Sequence, residues 1–281
     1  MPESRSLLRL YPEPGAAPLR GLYLDPGWRA AVAPGPEGCF VYANFVASLD
    51  GRIAIAPDGG RLQVPDAIAN PRDWRLYLEL AAQSDVLLVS GRYVRELAAG
   101  TAQAGFALGG DAPADLLEFR AALGLAPRPA IAVLSAALDL PPAPLAAARA
   151  QRRVRVITGA RAPAARRRAL EAAGCELLVA GIQRVEAPRA LAALAELGLR
   201  HAYASAGPEV LRTLVAAGRL DRLYLTTVLR LLGGARIATL LGGEALQSPP
   251  EFRLREAYLD QAGEGAGPPQ LMQVFDALHG R

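Results

Sequence analysis

The sequence predicts an α/β protein with a mostly parallel sheet, because short apolar runs alternate with helical segments along most of the chain. DVLLVS at 85–90 and VRVIT at 154–158 have the length and composition of strands buried in a central sheet. Residues 71–83 have helical spacing, and Pro71 suits the first turn of a helix. This alternation is typical of strands joined by crossover helices.

The individual elements follow in chain order. The first predicted strand is CFVYANFVAS at 39–48, ended by the turn signal Asp50–Gly51. Further strands are predicted at 85–90, 130–135, 154–158, 175–180, 201–205 and 222–229. Helices are predicted at 71–83, 114–125, 162–174, 190–198 and 208–218, with Gly174 at a C-cap position. Residues 252–260 and 270–278 are strand-like and joined by Gly and Pro, which predicts an antiparallel C-terminal edge hairpin.

The chain of 281 residues is long enough for one large α/β domain or two small ones. Residues 1–38 contain repeated Pro and Gly and are interpreted as an irregular N-terminal lead-in. No later segment has the composition of a linker. We therefore predict one domain over residues 39–281.

Composition excludes several classes of chemistry. All 31 basic residues are arginine, which excludes a Schiff-base lysine and a P-loop lysine. The two cysteines, Cys39 and Cys175, are far apart, and only two histidines are present, His201 and His279. A disulfide framework, a thiolate zinc site and the motif of the zinc deaminases are therefore not expected, and no metal site is predicted.

The charge pattern bears on possible partners. The net charge is +4 and the isoelectric point about 9.4. The arginines are dispersed and few aromatic residues accompany them, so no nucleic-acid partner is expected, whereas anionic substrates or phosphate-bearing cofactors are compatible. No apolar run reaches transmembrane length and the N-terminus has no signal core, so we expect a cytoplasmic protein without a membrane partner.

Ligands of open α/β sheets bind beyond the carboxyl ends of the strands, which directs attention to the loops there. Gly207 and Pro208 join a strand to a helix whose N-terminus could receive a phosphate, but spacing alone favours an ordinary strand–helix turn with Pro208 in the first turn. Gly91 and the pair Thr158–Gly159 allow the same two interpretations. Asp50 is either a catalytic residue or a turn aspartate. Spacing alone leaves these alternatives open.

Three ordered segments resemble a known family. ANFVASLDGRIA at 43–54, QSDVLLVSGRYVREL at 83–97 and the stretch 204–234, which ends in a double glycine, are similar to motifs of the RibD C-terminal reductase family of riboflavin biosynthesis. Order and spacing agree from about residue 40 to the C-terminus. Residues 119–141 resemble a stand-alone, pyrimidine reductase-like subgroup that carries no deaminase domain.

The resemblance implies a dihydrofolate-reductase-like sheet flanked by helices and NADPH as the hydride donor. It also implies a substrate such as 5-amino-6-(5-phosphoribosylamino)uracil, whose ribosylamine opens to an imine before reduction. Family members are commonly homodimers through the late strands, which implies a homodimer here. The protein would position the reactants while the cofactor supplies the chemistry.

The resemblance also implies roles for particular positions. Asp50 and Ser48 would be catalytic, with Ser48 at the nicotinamide end of the site. The cofactor-binding positions would be Val46, Ala47, Gly91, Tyr93, Thr158, Gly159, Ala206, Gly207, Pro208 and Glu209. The substrate-binding positions would be Asn44, Arg61 and Ser205.

The chain departs from the family pattern at several of these positions. Tyr93 replaces a threonine, Ser205 a glutamate, Asn44 a frequent lysine, and Ala81 an arginine that would bind the substrate phosphate. Two alternative hypotheses therefore accompany the reductase. One is a relative that binds NADP or a pterin-like ligand without turnover, and the other is a reductase of another small imine or carbonyl.

Overall fold

The structure is a computed structural model that describes residues 6–32, 34–56, 60–205, 207–261 and 267–278. The strands are β1 (Leu7–Tyr11), β2 (Gly15–Ala17), β3 (Phe40–Ser48), β4 (Ala54–Ile55), β5 (Val86–Ser90), β6 (Ala130–Leu134), β7 (Val154–Thr158), β8 (Glu176–Val179), β9 (His201–Ala204), β10 (Arg222–Val228), β11 (Ile237–Ala238), β12 (Glu251–Asp260) and β13 (Gln270–Leu278). The helices are α1 (Trp28–Ala31), α2 (Pro71–Gln83), α3 (Gly91–Ala98), α4 (Ala114–Ala122), α5 (Pro142–Arg149), α6 (Ala164–Ala172), α7 (Ala187–Glu196) and α8 (Gly207–Ala216).

The chain divides into two compact units. The first unit contains Met1–Asp25, Tyr42–Leu80 and Leu220–Arg281, and the second contains Pro26–Val41 and Ala81–Arg219. Every predicted strand and helix is present within a few residues of its predicted limits. The predicted fold class, an α/β arrangement of parallel strands with helices and an antiparallel C-terminal hairpin, is confirmed.

In the first unit the strands follow the order β2-β1-β12-β13-β10-β3. The C-terminal strands β12 and β13 pair antiparallel, as predicted, and β13 continues antiparallel onto β10. β10 and β3 are parallel, with Thr226 opposite Val46 and Val228 opposite Ser48. Because these two strands run in the same direction, their carboxyl ends lie at the same edge of the sheet.

The N-terminal lead-in differs from the irregular segment expected over residues 1–38. Its apolar run LLRLY forms β1, which pairs antiparallel with β12, and β2 pairs with β1. A short strand between proline-containing turns can form here because β12 offers it an unpaired edge. Farther along, the carboxylate of the fully buried Glu79 accepts hydrogen bonds from the backbone N–H groups of Gly21 and Tyr23, at 2.7 and 3.1 Å. The sequence pattern alone indicates neither β12 as the partner of β1 nor Glu79 as the partner of these N–H groups.

Helix α2 lies on one face of the first unit's sheet and runs antiparallel to β3 and β10. Near its C-terminal end, the carbonyl of Leu80 accepts the Tyr42 hydroxyl at 2.8 Å, close to the start of β3. In its first turn, Asp73 bonds with Thr226 near the end of β10. The first turn of α2 therefore lies over the carboxyl ends of β3 and β10.

Two adjacent rows of side chains cross this face under the first turn of α2. Strand register aligns Val46, Thr226, Met272 and Tyr258 in one row. It aligns Ser48, Val228, Gln270 and Asp260 in the next. Partners in register point to the same face of the sheet, so the side chains of both rows lie beneath the start of α2.

The second unit is a parallel α/β sheet with the strand order β9-β5-β6-β7-β8. Helices α3, α5, α6, α7 and α8 pack against these strands. At the amino ends of β5 and β9, Asp85 accepts from Arg29 at 2.6 Å and lies 3.1 Å from Nδ1 of His201. This network lies at the edge opposite the carboxyl ends of the strands, which favours a structural role for His201. Within the described parts of the chain, no helix is both long and apolar enough to cross a membrane.

Candidate functional site

At the carboxyl end of β3, Ser48 and Asp50 form the centre of a tight turn. The Ser48 hydroxyl donates to Asp50 Oδ1 at 2.5 Å and accepts from the Arg52 backbone N–H at 3.0 Å. Asp50 Oδ2 is 2.9 Å from Nε of Arg52. Gly51 closes the turn with a φ of 78°, a conformation that favours glycine. The two predicted catalytic residues are thus in direct contact.

Asp50 also holds a second segment of the first unit. Its carboxylate accepts the backbone N–H groups of Leu232 at 3.2 Å and Gly233 at 2.9 Å, in the segment that follows β10. The Ser48 hydroxyl and the Gly233 N–H are the main causes that hold the pKa of Asp50 well below its usual range. Asp50 is therefore an ionised acceptor with its oxygens occupied, an arrangement suited to fixing the two loops. Its catalytic role stays a prediction.

We expect Asp50→Asn to weaken this connection at neutral pH. The amide cannot accept charge-assisted bonds at both positions, so the melting temperature should fall by several degrees. Because the folded-state pKa is depressed, the contribution of Asp50 is present above its ordinary pKa and is lost as the pH falls through the folded value. Thermal melts between neutral and acidic pH should show that the difference in melting temperature between wild type and Asp50→Asn becomes smaller as the pH falls. An equal deficit at every pH would contradict this assignment.

The first turn of α2 contributes a carboxyl group that sequence analysis missed. Asp73 is 8% exposed and hydrogen-bonds with Thr226, which is 3% exposed. Its Oδ1 atom is buried and has no hydrogen-bond partner among the described residues. Burial raises the pKa of Asp73 from 3.8 to about 6, and the bond from Thr226 opposes that increase. The helical spacing of Asp73, Leu76 and Leu80, the last two fully buried, could have indicated that Asp73 faces the core.

The neighbouring residue, Arg72, has a buried carboxylate partner. Its Nε atom donates to Oδ2 of Asp260 at 2.6 Å, and both side chains are 5% exposed. Gln270 donates to the same oxygen at 3.1 Å. Arg75 is similarly paired with the buried Glu79 at 2.8 Å. Both arginines therefore already hold carboxylates within the first unit.

The predicted substrate-binding positions lie on different elements, two in the first unit and one in the second. Asn44 is partly buried on β3 and stands opposite Tyr224 on β10, two residues before the Val46–Thr226 pair. Arg61 is exposed. Ser205 lies in the second unit, where its backbone N–H donates to the Leu88 carbonyl at 3.3 Å. Of the predicted cofactor positions in the first unit, Val46 shares a face with Thr226, whereas Ala47 points to the opposite face.

In the second unit, the loop after β5 is an ordinary helix start. Ser90 caps α3 by accepting the Tyr93 backbone N–H at 3.2 Å. A Cβ at Gly91 would lie 3.0 Å from Oγ of Ser135 and 3.1 Å from Leu140, so packing explains the glycine. The Tyr93 hydroxyl donates to the Ala104 carbonyl at 2.9 Å. The cofactor roles of Gly91 and Tyr93 stay predictions.

The loop after β7 is closed by backbone contacts. A Cβ at Gly159 would lie 2.6 Å from the Ile182 carbonyl oxygen, which leaves no room for a side chain. The N–H groups of Ala160 and Arg161 donate to the carbonyls of Gly181 and Ile182, both at 2.9 Å. Thr158 is fully buried, and its hydroxyl has no partner among the described residues. Neighbouring carbonyls therefore already occupy the N–H groups that could bind a phosphate.

The loop after β9 is open. Gly207 begins α8 with a φ of 64°, is exposed, and a Cβ built there meets nothing within 4 Å. Glu209 is exposed and Pro208 partly exposed in the same first turn. Ala206 lies outside the described residues. The start of α8 therefore has the space and the helix polarity that an anionic group requires.

Among the residues that the structure describes, no group of three or more His, Cys, Asp or Glu side chains is placed to hold a metal ion. The polar groups of interest are instead a buried carboxyl group with its hydroxyl partner and a helix start. Asp73 with Thr226 lies at the carboxyl edge of the first unit's sheet, and Gly207 opens α8 in the second.

Comparison with solved structures shows the same fold in several proteins. A pyrimidine reductase-like protein from Corynebacterium diphtheriae superposes with a TM-score of 0.65 at 19% identity, covering 90% of this chain and 98% of that one. RibD of Acinetobacter baumannii gives a TM-score of 0.56 at 15% identity, covering 86% of this chain and 59% of that one. Riboflavin Biosynthesis Reductase Rib7 of Saccharomyces cerevisiae gives a TM-score of 0.51 at 14% identity, covering 89% of this chain and 94% of that one.

At these identities the likeness shows a shared fold and leaves activity open. Among curated protein sequences, no significant match was found. The sequence profile of the RibD C-terminal domain, in contrast, matches residues 39–266, which is most of the chain. On that match, the chain belongs to the RibD C-terminal domain family.

Proposed function

We propose that this protein is an NADPH-dependent reductase of a phosphoribosyl-aminopyrimidine, with 5-amino-6-(5-phosphoribosylamino)uracil as the leading substrate. The observation that carries the proposal is the match of the RibD C-terminal domain over residues 39–266. A yeast riboflavin biosynthesis reductase has a similar fold, which is compatible with the same reaction class. A small imine or carbonyl of another kind is the second candidate, because Ala81 and Ser205 depart from the family pattern.

The residues at the start of α8 fit a phosphate-bearing cofactor. Gly207 leaves its surroundings open, and the helix dipole favours a negative charge at the N–H groups of the first turn. Pro208 has no backbone N–H that would need a partner, and the side chain of Glu209 is exposed. The loop of Thr158 and Gly159 fits less well as a phosphate site, because its N–H groups are engaged. We therefore assign the pyrophosphate to the loop of α8.

The first unit would hold the nicotinamide end of the cofactor, where the reaction takes place. Bound NADPH supplies a hydride, and the protein contributes the surface that orients it. Val46 and Ser48 are on the face that carries Thr226, and Asp50 fixes the turn that follows them. The connections of Asp50 to Leu232 and Gly233 hold the neighbouring loop in place. Fixed positioning of the reactants lowers the entropic part of a reaction barrier.

A phosphorylated substrate requires a cation that its phosphate can reach. Arg72 and Arg75 are buried or nearly so, and they hold the carboxylates of Asp260 and Glu79. Arg61 is exposed, so among the predicted substrate residues it is the one best able to meet a phosphate, together with Asn44 for the pyrimidine. We also propose a cytoplasmic homodimer that forms through the late strands, β12 and β13, as is common in the family. Light scattering of the purified protein tests the dimer directly.

The cofactor assignment predicts a loss of affinity in Gly207→Ala. A methyl group there narrows the approach of a phosphate to the start of α8, so we expect NADPH to bind about tenfold more weakly, or about 1.4 kcal/mol. Gly218→Ala is a matched control at the other end of this helical segment. Gly218 has a φ of 63°, against 64° at Gly207, and a Cβ added at either position would meet nothing within 4 Å. Tryptophan quenching and thermal shift measure both affinities.

The control separates backbone strain from ligand contact. Both variants should lose a similar stability of about 1 kcal/mol, because each places alanine in the left-handed region. Equal NADPH affinities in the two variants would argue against a phosphate at α8. No NADPH binding by the folded wild-type protein would overturn the reductase proposal. Binding without NADPH oxidation on addition of the phosphoribosylaminouracil would favour the second candidate substrate class.

A further inference from the structure

Trp74 is the exposed member of a stacked aromatic pair on α2. The rings of Trp74 and Tyr77 lie within 22° of parallel, with centroids 4.7 Å apart, and Trp74 is 44% exposed. The only other tryptophan of the sequence, Trp28, is 6% exposed. Single exposed apolar side chains are common on protein surfaces, so exposure alone assigns Trp74 no role. Its place in the first turns of α2, beside the carboxyl edge of the sheet, is what distinguishes it.

Helix geometry places this pair on the β3 side of α2. Asp73 faces the sheet, and Arg72 extends from one flank of the helix to Asp260 on β12. Successive residues of a helix are about 100° apart, so Trp74 and Tyr77 lie on the flank opposite Arg72. In the strand order, β12 and β3 are on opposite sides of β13 and β10. The aromatic pair is therefore on the flank nearest to β3.

The side chains of β3 leave an opening next to this flank. Strand alternation directs Tyr42, Asn44, Val46 and Ser48 to the face on which α2 lies, where the Tyr42 hydroxyl donates to the Leu80 carbonyl. Tyr42 and Ser48 are buried at the two ends of this row, whereas Asn44 and Val46 between them are partly exposed. The opening between α2 and β3 is therefore at Asn44 and Val46.

The aromatic pair is level with this opening. Asp73 bonds with Thr226, the partner of Val46 in register. One helical turn from Asp73 leads to Tyr77, a rise of about 6 Å. Because α2 and β3 are antiparallel, the corresponding step on β3 is two residues, from Val46 back to Asn44, or about 6–7 Å. The aromatic pair therefore forms one side of the opening, and all of these residues belong to the first unit.

We propose that Trp74, held by its stack on Tyr77, binds the face of the substrate's pyrimidine ring while Asn44 bonds with the ring's polar edge. This inference rests on the proposed reductase function and names the side chain that recognises the ring. Planar nitrogen heterocycles stack on aromatic side chains, and an amide offers the donor and the acceptor that a uracil edge requires. The ring itself is not reduced, so its stack is the same before and during hydride transfer. Trp74 is therefore a residue of binding and specificity.

Binding of 5,6-diaminouracil tests the ring contact without turnover. Calorimetry on the full chain, with and without NADPH, compares wild type, Trp74→Leu, Trp74→Phe and the control Tyr11→Leu. Tyr11 is also 44% exposed in the first unit, but it is in register with Ala257, the neighbour of Tyr258, and so lies on the face of the sheet away from α2. Trp74→Leu should bind roughly 10-fold more weakly, Trp74→Phe should stay within about threefold of wild type because a ring remains, and Tyr11→Leu should not differ from wild type.

Fluorescence and steady-state kinetics locate the contact and identify its role. Trp28→Phe leaves Trp74 as the only tryptophan, and saturating 5,6-diaminouracil should roughly halve the acrylamide quenching constant of Trp74, because one face of the indole is covered. In the reduction of 5-amino-6-(5-phosphoribosylamino)uracil, Trp74→Leu should raise KM roughly 10-fold and leave kcat within about twofold. A merely structural Trp74 would instead lower kcat and the melting temperature. If Trp28→Phe does not fold, calorimetry of the Trp74 variants decides.

The outcomes separate this inference from the proposed function. If Trp74→Leu binds 5,6-diaminouracil as tightly as wild type, or if the folded wild-type protein does not bind it, the inference is overturned, while NADPH binding and turnover would leave the reductase proposal standing. If 5,6-diaminouracil binding depends on Trp74 but NADPH does not bind, the ring contact is supported and the reductase proposal is overturned. NADPH binding together with a KM effect confined to the Trp74 variants supports both.

Discussion

Replacing Arg72 with methionine should destabilise the protein by about 3–5 kcal/mol, the cost of leaving a buried carboxylate without its cation. Asp260 is 5% exposed and, among the described residues, would keep only the amide of Gln270, at 3.1 Å, as a side-chain hydrogen-bond donor. Methionine has a similar length and fills the space, so the loss should come from electrostatics more than from packing. Urea denaturation at pH 7 measures the free energy of unfolding.

A matched control uses an exposed ion pair. Arg92 and Glu96 are 2.7 Å apart on α3, with 41% and 25% side-chain exposure, so Arg92→Met should change stability by only about 0.5 kcal/mol. The double variant Arg72→Met/Asp260→Leu should recover most of the loss, because no charge then remains buried. A deficit in Arg72→Met no larger than that in Arg92→Met would show that the buried pair is not a major source of stability.

The sequence predicted the regular elements well because their signals are local. A run such as VRVIT matches β7 residue for residue, and the helical spacing of 71–83 matches α2. The N-terminal strand β1 was missed because LLRLY is short and flanked by turns, so that its pairing with β12 defines it. Its partners lie about 250 positions away along the chain, as Leu8 opposite Leu259 shows. A local pattern contains no information about such a pairing.

The site was predictable to a smaller extent. The turn at Ser48 and Asp50 was found, because aspartate before glycine after an apolar run is a local signal. The N–H groups that Asp50 accepts are 182 and 183 positions away, at Leu232 and Gly233. Arg72 and Asp260 are separated by 188 positions. The fold alone brings these groups together, so the sequence could not indicate them.

Asp73 shows that the same limit applies when chemical properties are predicted from sequence. An acidic residue in the first turn of a helix has an ordinary explanation, since it favours the helix dipole. Its helical spacing with Leu76 indicates a buried face, but not that Thr226 is its bonding partner or that Oδ1 is left unpaired among the described residues. Those facts depend on β10, which is more than 140 positions farther along the chain. They give Asp73 a shifted pKa, and the shift has a measurable consequence for stability.

Asp73→Asn should make the protein more stable at pH 8 by about 3 kcal/mol, since a pKa raised from 3.8 to about 6 corresponds to about two units at 1.36 kcal/mol each. The folded state binds the proton more tightly than the unfolded state does. The contribution of Asp73 is therefore fully present below pH 3.8 and is lost as the pH rises through about 6. Asparagine resembles the protonated acid, keeps a partner for Thr226, and does not ionise.

Denaturant unfolding from pH 4 to pH 8 should therefore show a growing advantage for Asp73→Asn over wild type, small near pH 4 and constant above about pH 7. Asp66→Asn, at an exposed site, should stay within about 0.5 kcal/mol of wild type throughout. A stability difference for Asp73→Asn that does not change with pH would mean that the folded and unfolded states hold the Asp73 proton equally.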